Sequence, residues 1–185
     1  GSNIHVVHIG PEPYPVKPGI ASRYHWLQQV DSKRFHATLA AADLFLTPNV
    51  VGTTLSTAMV IGVPMLVAIN SFQAETFEEV SAFVPGGFSE FVQNWVKAAL
   101  PIYPYRIWPT GGYQVVTSLV KNNPFCKTFR QVEILDEKDF LDGCRSLIDD
   151  TASRKKLLAA QKEYVDLVRK LPNPAALIDA FFESR

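Results

Sequence analysis

The sequence predicts an α/β fold with a doubly wound, mostly parallel sheet and helices on both faces. Three observations point there. Asp43–Pro48 and Met65–Ile69 read as short strands that are almost wholly apolar, the pattern of strands covered on both faces. Between them Thr53–Ile61 reads as a helix, with Gly62 as its C-cap and Pro64 beyond it. Short turns around such a strand–helix–strand unit imply parallel strands and a right-handed crossover. A second passage of the same kind runs from Arg130–Leu135, an alternating strand, into Glu137–Ile148, with Asp136 placed to cap the helix.

Taken in order, Asn3–Gly10 is a β-branched run ending on glycine and predicts the first strand. Residues 10–19, GPEPYPVKPG, form a proline-rich loop that neither pairs nor coils regularly. Arg34–Ala42 has Phe35, Leu39 and Ala42 at helical spacing. Residues 72–124 read as an irregular insertion or lid rich in aromatics and prolines, with helices at Phe88–Leu100 and near Tyr113–Lys121. Residues 151–185 read as C-terminal helices. The first, Ala152–Leu171, carries an apolar stripe of Leu157, Leu158, Tyr164, Leu167 and Val168, and the last spans Pro174–Phe182.

The 185 residues suit one domain, and 18 basic against 18 acidic side chains leave no net charge. Such a balance removes any general attraction to nucleic acid or an anionic membrane. The longest apolar stretch, Leu55–Ile69, is interrupted by Thr57, Gly62 and Pro64, which argues against a membrane span. Cys126 and Cys144 form no CxxC pair, so the expectation is thiols in a reducing, cytoplasmic compartment. Gly1-Ser2 reads as a tag-cleavage scar, with a natural chain that extends further.

Chemistry concentrates between Ala41 and Asn70. A strand ends at Thr47-Pro48, a short loop with Gly52 follows, and a helix opens on Thr53-Thr54. In open α/β sheets ligands bind beyond the carboxyl ends of the strands. A helix start there offers unpaired N–H groups and the positive end of the dipole, which together suit a phosphate. Local physics leaves open whether these threonines cradle a phosphate or only cap the helix. The histidines His5, His8, His25 and His36 are scattered without HxH or HExxH spacing, so no metal site is expected. His8 remains a candidate by its place near a strand's carboxyl end. Neither a GxSxG nucleophile motif nor a Walker lysine is present.

The segment Ala42-Asp43-Leu44-Phe45-Leu46-Thr47, then Gly52-Thr53-Thr54, then Gly62-Val63-Pro64 resembles the nucleotide-sugar site of GT-B glycosyltransferases, whose C-terminal half is a Rossmann-like domain. The resemblance runs over about residues 41 to 185. Within it, YPYRIWPTGGYQ (Tyr103 to Gln114), NNPF (Asn122 to Phe125) and VEILD (Val132 to Asp136) resemble a bacterial glycosyltransferase-like subgroup. The resemblance implies that Asn49, Gly52, Thr53 and Thr54 bind the donor diphosphate. It implies ribose or sugar contacts at Thr57, Asn70, Gln73 and Glu75. The N-terminal loop is compatible with it: Lys17 and Arg23 could neutralise the diphosphate as basic residues of this loop do in family members, and His25, beside Arg23, Tyr24 and Trp26 at the expected crevice, could stack on the base or belong to a packing cluster. Two positions depart from the family pattern: Thr57 stands where many members hold the ribose with glutamate, and Asn49 where some have histidine or glutamate.

On this reading the co-substrate is a nucleotide-sugar, UDP- or dTDP-linked, with no cofactor and no metal. A missing N-terminal domain would supply the acceptor site and the general base, so no catalytic residue is assigned, and a homodimer is compatible. The competing reading is a non-catalytic domain that keeps the half-fold to bind a nucleotide or a protein. A sugar-nucleotide epimerase is a third, for which no acid–base set stands out.

Overall fold

The computed structural model describes residues 3–84, 86–104 and 121–183. The helix predicted near Tyr113–Lys121 lies outside these residues except at Lys121. So do Pro85 and the aromatic run beyond Pro104. The fold is α/β with parallel sheets and flanking helices, as predicted. The sequence was read as one domain; the chain divides into two compact units, Gly1–Ala41 and Ala42–Arg185.

In Gly1–Ala41, strand β1 (Val6–Ile9) pairs in parallel with β2 (Tyr24–Leu27), Val6 opposite Tyr24 and Ile9 opposite Leu27. The proline-rich loop between them ends in a 3-10 turn, Pro18–Arg23. Strand β2 was not foreseen. Tyr-His-Trp-Leu is only four residues long and follows prolines, so no period could develop in it. Helix α1 (Ser32–Ala40) starts two residues before the predicted Arg34 because the Asp31 carboxylate accepts the Arg34 N–H at 2.8 Å.

In Ala42–Arg185 a three-stranded parallel sheet has the order β3 (Phe45–Thr47), β4 (Met65–Ile69), β5 (Arg130–Glu133). Helix α2 (Thr53–Ile61) connects β3 to β4 and ends on Gly62, whose φ of 84° suits a residue without Cβ. Every residue of β4 is buried. A fully buried leucine or methionine there contributes about 1.5–3 kcal/mol. Strand β3 departs from the expected two-faced burial: it is an edge strand, and Leu46 is 46% exposed.

Helix α4 (Glu90–Ala99) falls within the predicted Phe88–Leu100, whereas α3 (Phe77–Phe83) occupies a stretch predicted to be irregular. A capping box of Thr76 and Glu79 starts α3, and Ser89 caps α4. Their core joins Phe72, Val80, Val84 and Val96 to Ile102 and Leu135.

Helix α5 (Glu137–Ile148) packs against the sheet through Gly143, where a Cβ would sit 2.6 Å from Val132 Cγ1 and 3.1 Å from Leu66 Cδ1. In α6 (Thr151–Arg169) the predicted apolar stripe is partly buried as far as Tyr164, but Leu167 and Val168 are exposed. Its fully buried residue is polar: Gln161 donates from Nε2 to the carbonyls of Val63 and Thr128, both at 3.0 Å. These two bonds tie the chain before β4 to the chain before β5. The last helix, α7, spans Pro174–Glu183.

Candidate functional site

The β3–α2 turn is built by its own polar side chains. The Thr47 hydroxyl accepts the Asn49 N–H at 3.1 Å, and Asn49 Oδ1 accepts the Val51 N–H at 3.0 Å. These two local bonds steer the chain to Gly52, the N-cap of α2. A Cβ at Gly52 would lie 3.2 Å from Thr54 Oγ1 and 3.3 Å from Asn49 Nδ2, so glycine keeps this turn tight.

The leading N–H groups of a helix have no intrahelical partner. Among the described residues no side chain caps them, since Gly52 has none to offer, and the Leu55 N–H turns back to the Gly52 carbonyl at 3.0 Å. Neither Thr53 nor Thr54 caps the helix, since the N-cap position is Gly52. Thr53 is exposed and Thr54 half-buried. The helix has no acidic residue in its first turn, so its positive end is not neutralised locally. Asn49, Gly52, Thr53 and Thr54 therefore meet in one turn at the carboxyl end of a parallel strand.

Other predicted residues behave differently. Thr57 Oγ1 donates to the Thr53 carbonyl at 3.2 Å, so its proton serves the helix and its oxygen is left to accept. Asn70 is buried. Its Nδ2 donates to the carbonyls of Phe72 at 2.8 Å and Tyr103 at 2.9 Å, and its Oδ1 accepts the Phe72 N–H. That amide anchors a loop, and both its protons are committed. Gln73 and Glu75 are exposed on the same loop, which also pairs with the chain through the Ala74–Ile102 bridge. The Glu75 N–H is held by Glu79 Oε2 at 2.7 Å.

Sequence reasoning passed over Glu133, at the carboxyl end of β5. Its Oε2 accepts from the Ser71 N–H at 3.0 Å and the Ser71 hydroxyl at 2.7 Å. Asp139 of α5 accepts the Glu133 N–H at 2.9 Å. Burial raises the Glu133 pKa above the ordinary carboxyl value; the Ser71 and Leu135 hydrogen bonds oppose the rise and the Asp139 charge adds to it. A charged residue inside Val132-Glu133-Ile134-Leu135 was the available signal.

Within Gly1–Ala41, Lys17 is exposed at the start of the 3-10 turn and Arg23 is half-buried at its end. His25 faces His5, with His5 Nδ1 and His25 Nε2 3.2 Å apart. His8 Nδ1 lies 2.6 Å from the Tyr24 hydroxyl, which also accepts the Tyr14 N–H at 2.9 Å. A cleft of 290 Å³ opens at the carboxyl ends of β1 and β2, lined by Ile9, Gly10, Gln28, Gln29, Ser32 and His36 among others. Lys17, Arg23 and His25 do not line it, so the expected crevice residues and the observed cleft are separate features.

Among the described residues, no group of three or more His, Cys, Asp or Glu side chains is arranged to hold a metal. Cys126 and Cys144 are not joined, and burial raises both thiols above their ordinary pKa, which makes them poor nucleophiles at neutral pH. No described helix is long and apolar enough to cross a membrane. A model for a family of unknown function (DUF6365) matches residues 1–184. No curated protein and no solved structure matches the chain.

Proposed function

The chain belongs to the DUF6365 family, and we propose that its Ala42–Arg185 unit binds the diphosphate of a nucleotide-sugar as the donor half of a GT-B-type glycosyltransferase. The observation that carries this reading is the uncapped start of α2 beyond the carboxyl end of β3. The Thr53 and Thr54 N–H groups and hydroxyls would hold the phosphate oxygens, the Leu55 N–H being taken by the Gly52 carbonyl at 3.0 Å. As the donor bond breaks, negative charge builds on the leaving diphosphate, and the α2 dipole would stabilise it there. Asn49 stands beside Gly52 as a further donor through Nδ2. Asn70 is set aside because its amide protons are already engaged. Gln73 and Glu75 remain the candidates for sugar hydroxyls. The donor would be UDP- or dTDP-linked, and the acceptor and general base would come from a further domain. Two unjoined thiols agree with a cytoplasmic setting.

One observation favours a second reading, a non-catalytic nucleotide- or protein-binding domain. Thr57 stands where the resemblance implies a ribose-binding glutamate, and its hydroxyl already donates to its own helix. Calorimetric titration with UDP, dTDP, GDP and UDP-glucose tests the first reading. One nucleotide should saturate. Thr54→Ala should weaken it roughly three- to tenfold, about one net hydrogen bond, without changing the far-UV spectrum. Binding that Thr54→Ala leaves intact would remove α2 from the site.

A further inference from the structure

We propose that Glu133 is a positioning residue whose protonation state sets how firmly the loop leaving β4 is held at the carboxyl edge of the three-stranded sheet. That loop carries Gln73 and Glu75; the exposed Glu79 carboxylate of α3 holds its far end at the Glu75 N–H, and two side chains anchor it where it leaves the sheet. Asn70 is uncharged, buried and bonded on both sides of its amide, so its grip does not change with pH. Glu133 is the other anchor. It reaches from the end of β5 to the residue after Asn70 and takes both the backbone and the hydroxyl donor of Ser71 on one oxygen. Register places β4 and β5 side by side there, with Ile69 opposite Glu133 and the Ile134 N–H on the Ile69 carbonyl at 2.9 Å. The carboxyl group therefore spans the gap between two strands just where both give way to loops.

The grip is that of a charged acceptor. Hydrogen bonds to a carboxylate are about twice as strong as neutral ones, so adding a proton to Glu133 weakens its hold on Ser71. The setting makes that proton accessible at mild acidity. Among the described residues Glu133 Oε1 is buried without a hydrogen-bond partner, and the ionised form also faces Asp139 of α5. From β4 it meets the uncharged Ile69, and from the loop the neutral Ser71. Burial and Asp139 both favour protonation, and only the Ser71 and Leu135 hydrogen bonds hold the charge in place. A proton added at Oε1 leaves Oε2 facing Ser71 but removes the charge that makes it a strong acceptor. The consequence for a bound sugar rests on the reading above; the anchoring itself does not.

The test is the Ser71 amide in the ¹⁵N-labelled full chain, followed from about pH 4 to about pH 8, across the range where a raised glutamate titrates. Its shift should titrate with a midpoint above the ordinary glutamate value. Its exchange protection, corrected for intrinsic rate, should fall by about tenfold on the acid side as charged bonds become neutral ones. Glu133→Gln keeps an accepting oxygen and should leave Ser71 protected but insensitive to pH. Ser71→Ala removes one donor to the carboxylate and should move the Glu133 midpoint further up. A Ser71 amide that does not titrate, or one that titrates equally in Glu133→Gln, overturns the proposal. Nucleotide titrations on the same samples decide the donor reading separately: a chain that binds no nucleotide sinks that reading, while Ser71 alone decides the anchor.

Discussion

In Ala42–Arg185 the central strand buries all five of its side chains, whereas in Gly1–Ala41 Val6, Val7 and Trp26 of the strands stay exposed. Among the described residues, Leu39 is the one buried hydrophobic in the first 41. What fastens β1 to β2 beyond their ladder is polar. The Tyr24 hydroxyl joins His8 and Tyr14, and Trp26 Nε1 donates to the Gly10 carbonyl at 2.9 Å. The difference teaches where stability resides. Net hydrogen bonds contribute about 0.5–1.5 kcal/mol each, and an isolated strand pair is marginal in water. The first region should open at lower free energy than the second, and native-state hydrogen exchange reads both in one sample.

The strongest way to break that comparison is Leu66→Ala, at a fully buried position of β4. It should lower stability by roughly 2–5 kcal/mol. Protection should drop across β3, β4 and β5 and stay unchanged in β1 and β2; equal losses everywhere would mean the regions open as one. Next comes Gln161→Leu, which strands the Val63 and Thr128 carbonyls. The expected loss is roughly 1–3 kcal/mol by urea denaturation, reduced because the unpartnered Gln161 Oε1 disappears too. An unchanged midpoint would show that water replaces the amide there.

Tyr24→Phe sharpens the other side. Loss of its hydroxyl should cost about 1 kcal/mol and speed exchange at Tyr14 and in β1, with β4 unaffected. If β1 kept its protection, the polar fastening would not be what holds it. The smallest effect is the pH response of Glu133. Its folded pKa is raised, so its stabilising contribution is fully present below the ordinary value of 4.5 and is lost as pH rises through the folded value. Denaturation midpoints should therefore rise on mild acidification in this window relative to Glu133→Gln; parallel curves would place the group at its ordinary value.

The helices and strands that sequence alone determined are those whose signals are local. Helix α2 and strand β4 fall where the pattern put them, because a glycine cap, a proline and an unbroken apolar run act over a few neighbours. The Asp136 cap of α5 was equally legible: its carboxylate accepts the Asp139 N–H three residues on. The meeting of Asn49, Gly52, Thr53 and Thr54 in one turn was readable for the same reason, since a single loop spans them.

Tertiary structure decided whatever depends on a partner far along the chain. Strand β2 is too short to show a period and exists by pairing with β1. Leu46 reads as core until the sheet order makes β3 an edge. Gln161, a polar residue within an apolar stripe, is buried because two carbonyls 98 and 33 residues away need donors. Asn70 resembles a ligand-binding turn residue until Tyr103 takes its second proton. Glu133 becomes notable only when Ser71, 62 residues earlier, lies against it. Hydrogen-bond capacity is a property of one residue and can be read in order; who uses that capacity depends on what folding brings within about 3 Å, and a linear pattern carries no such distance.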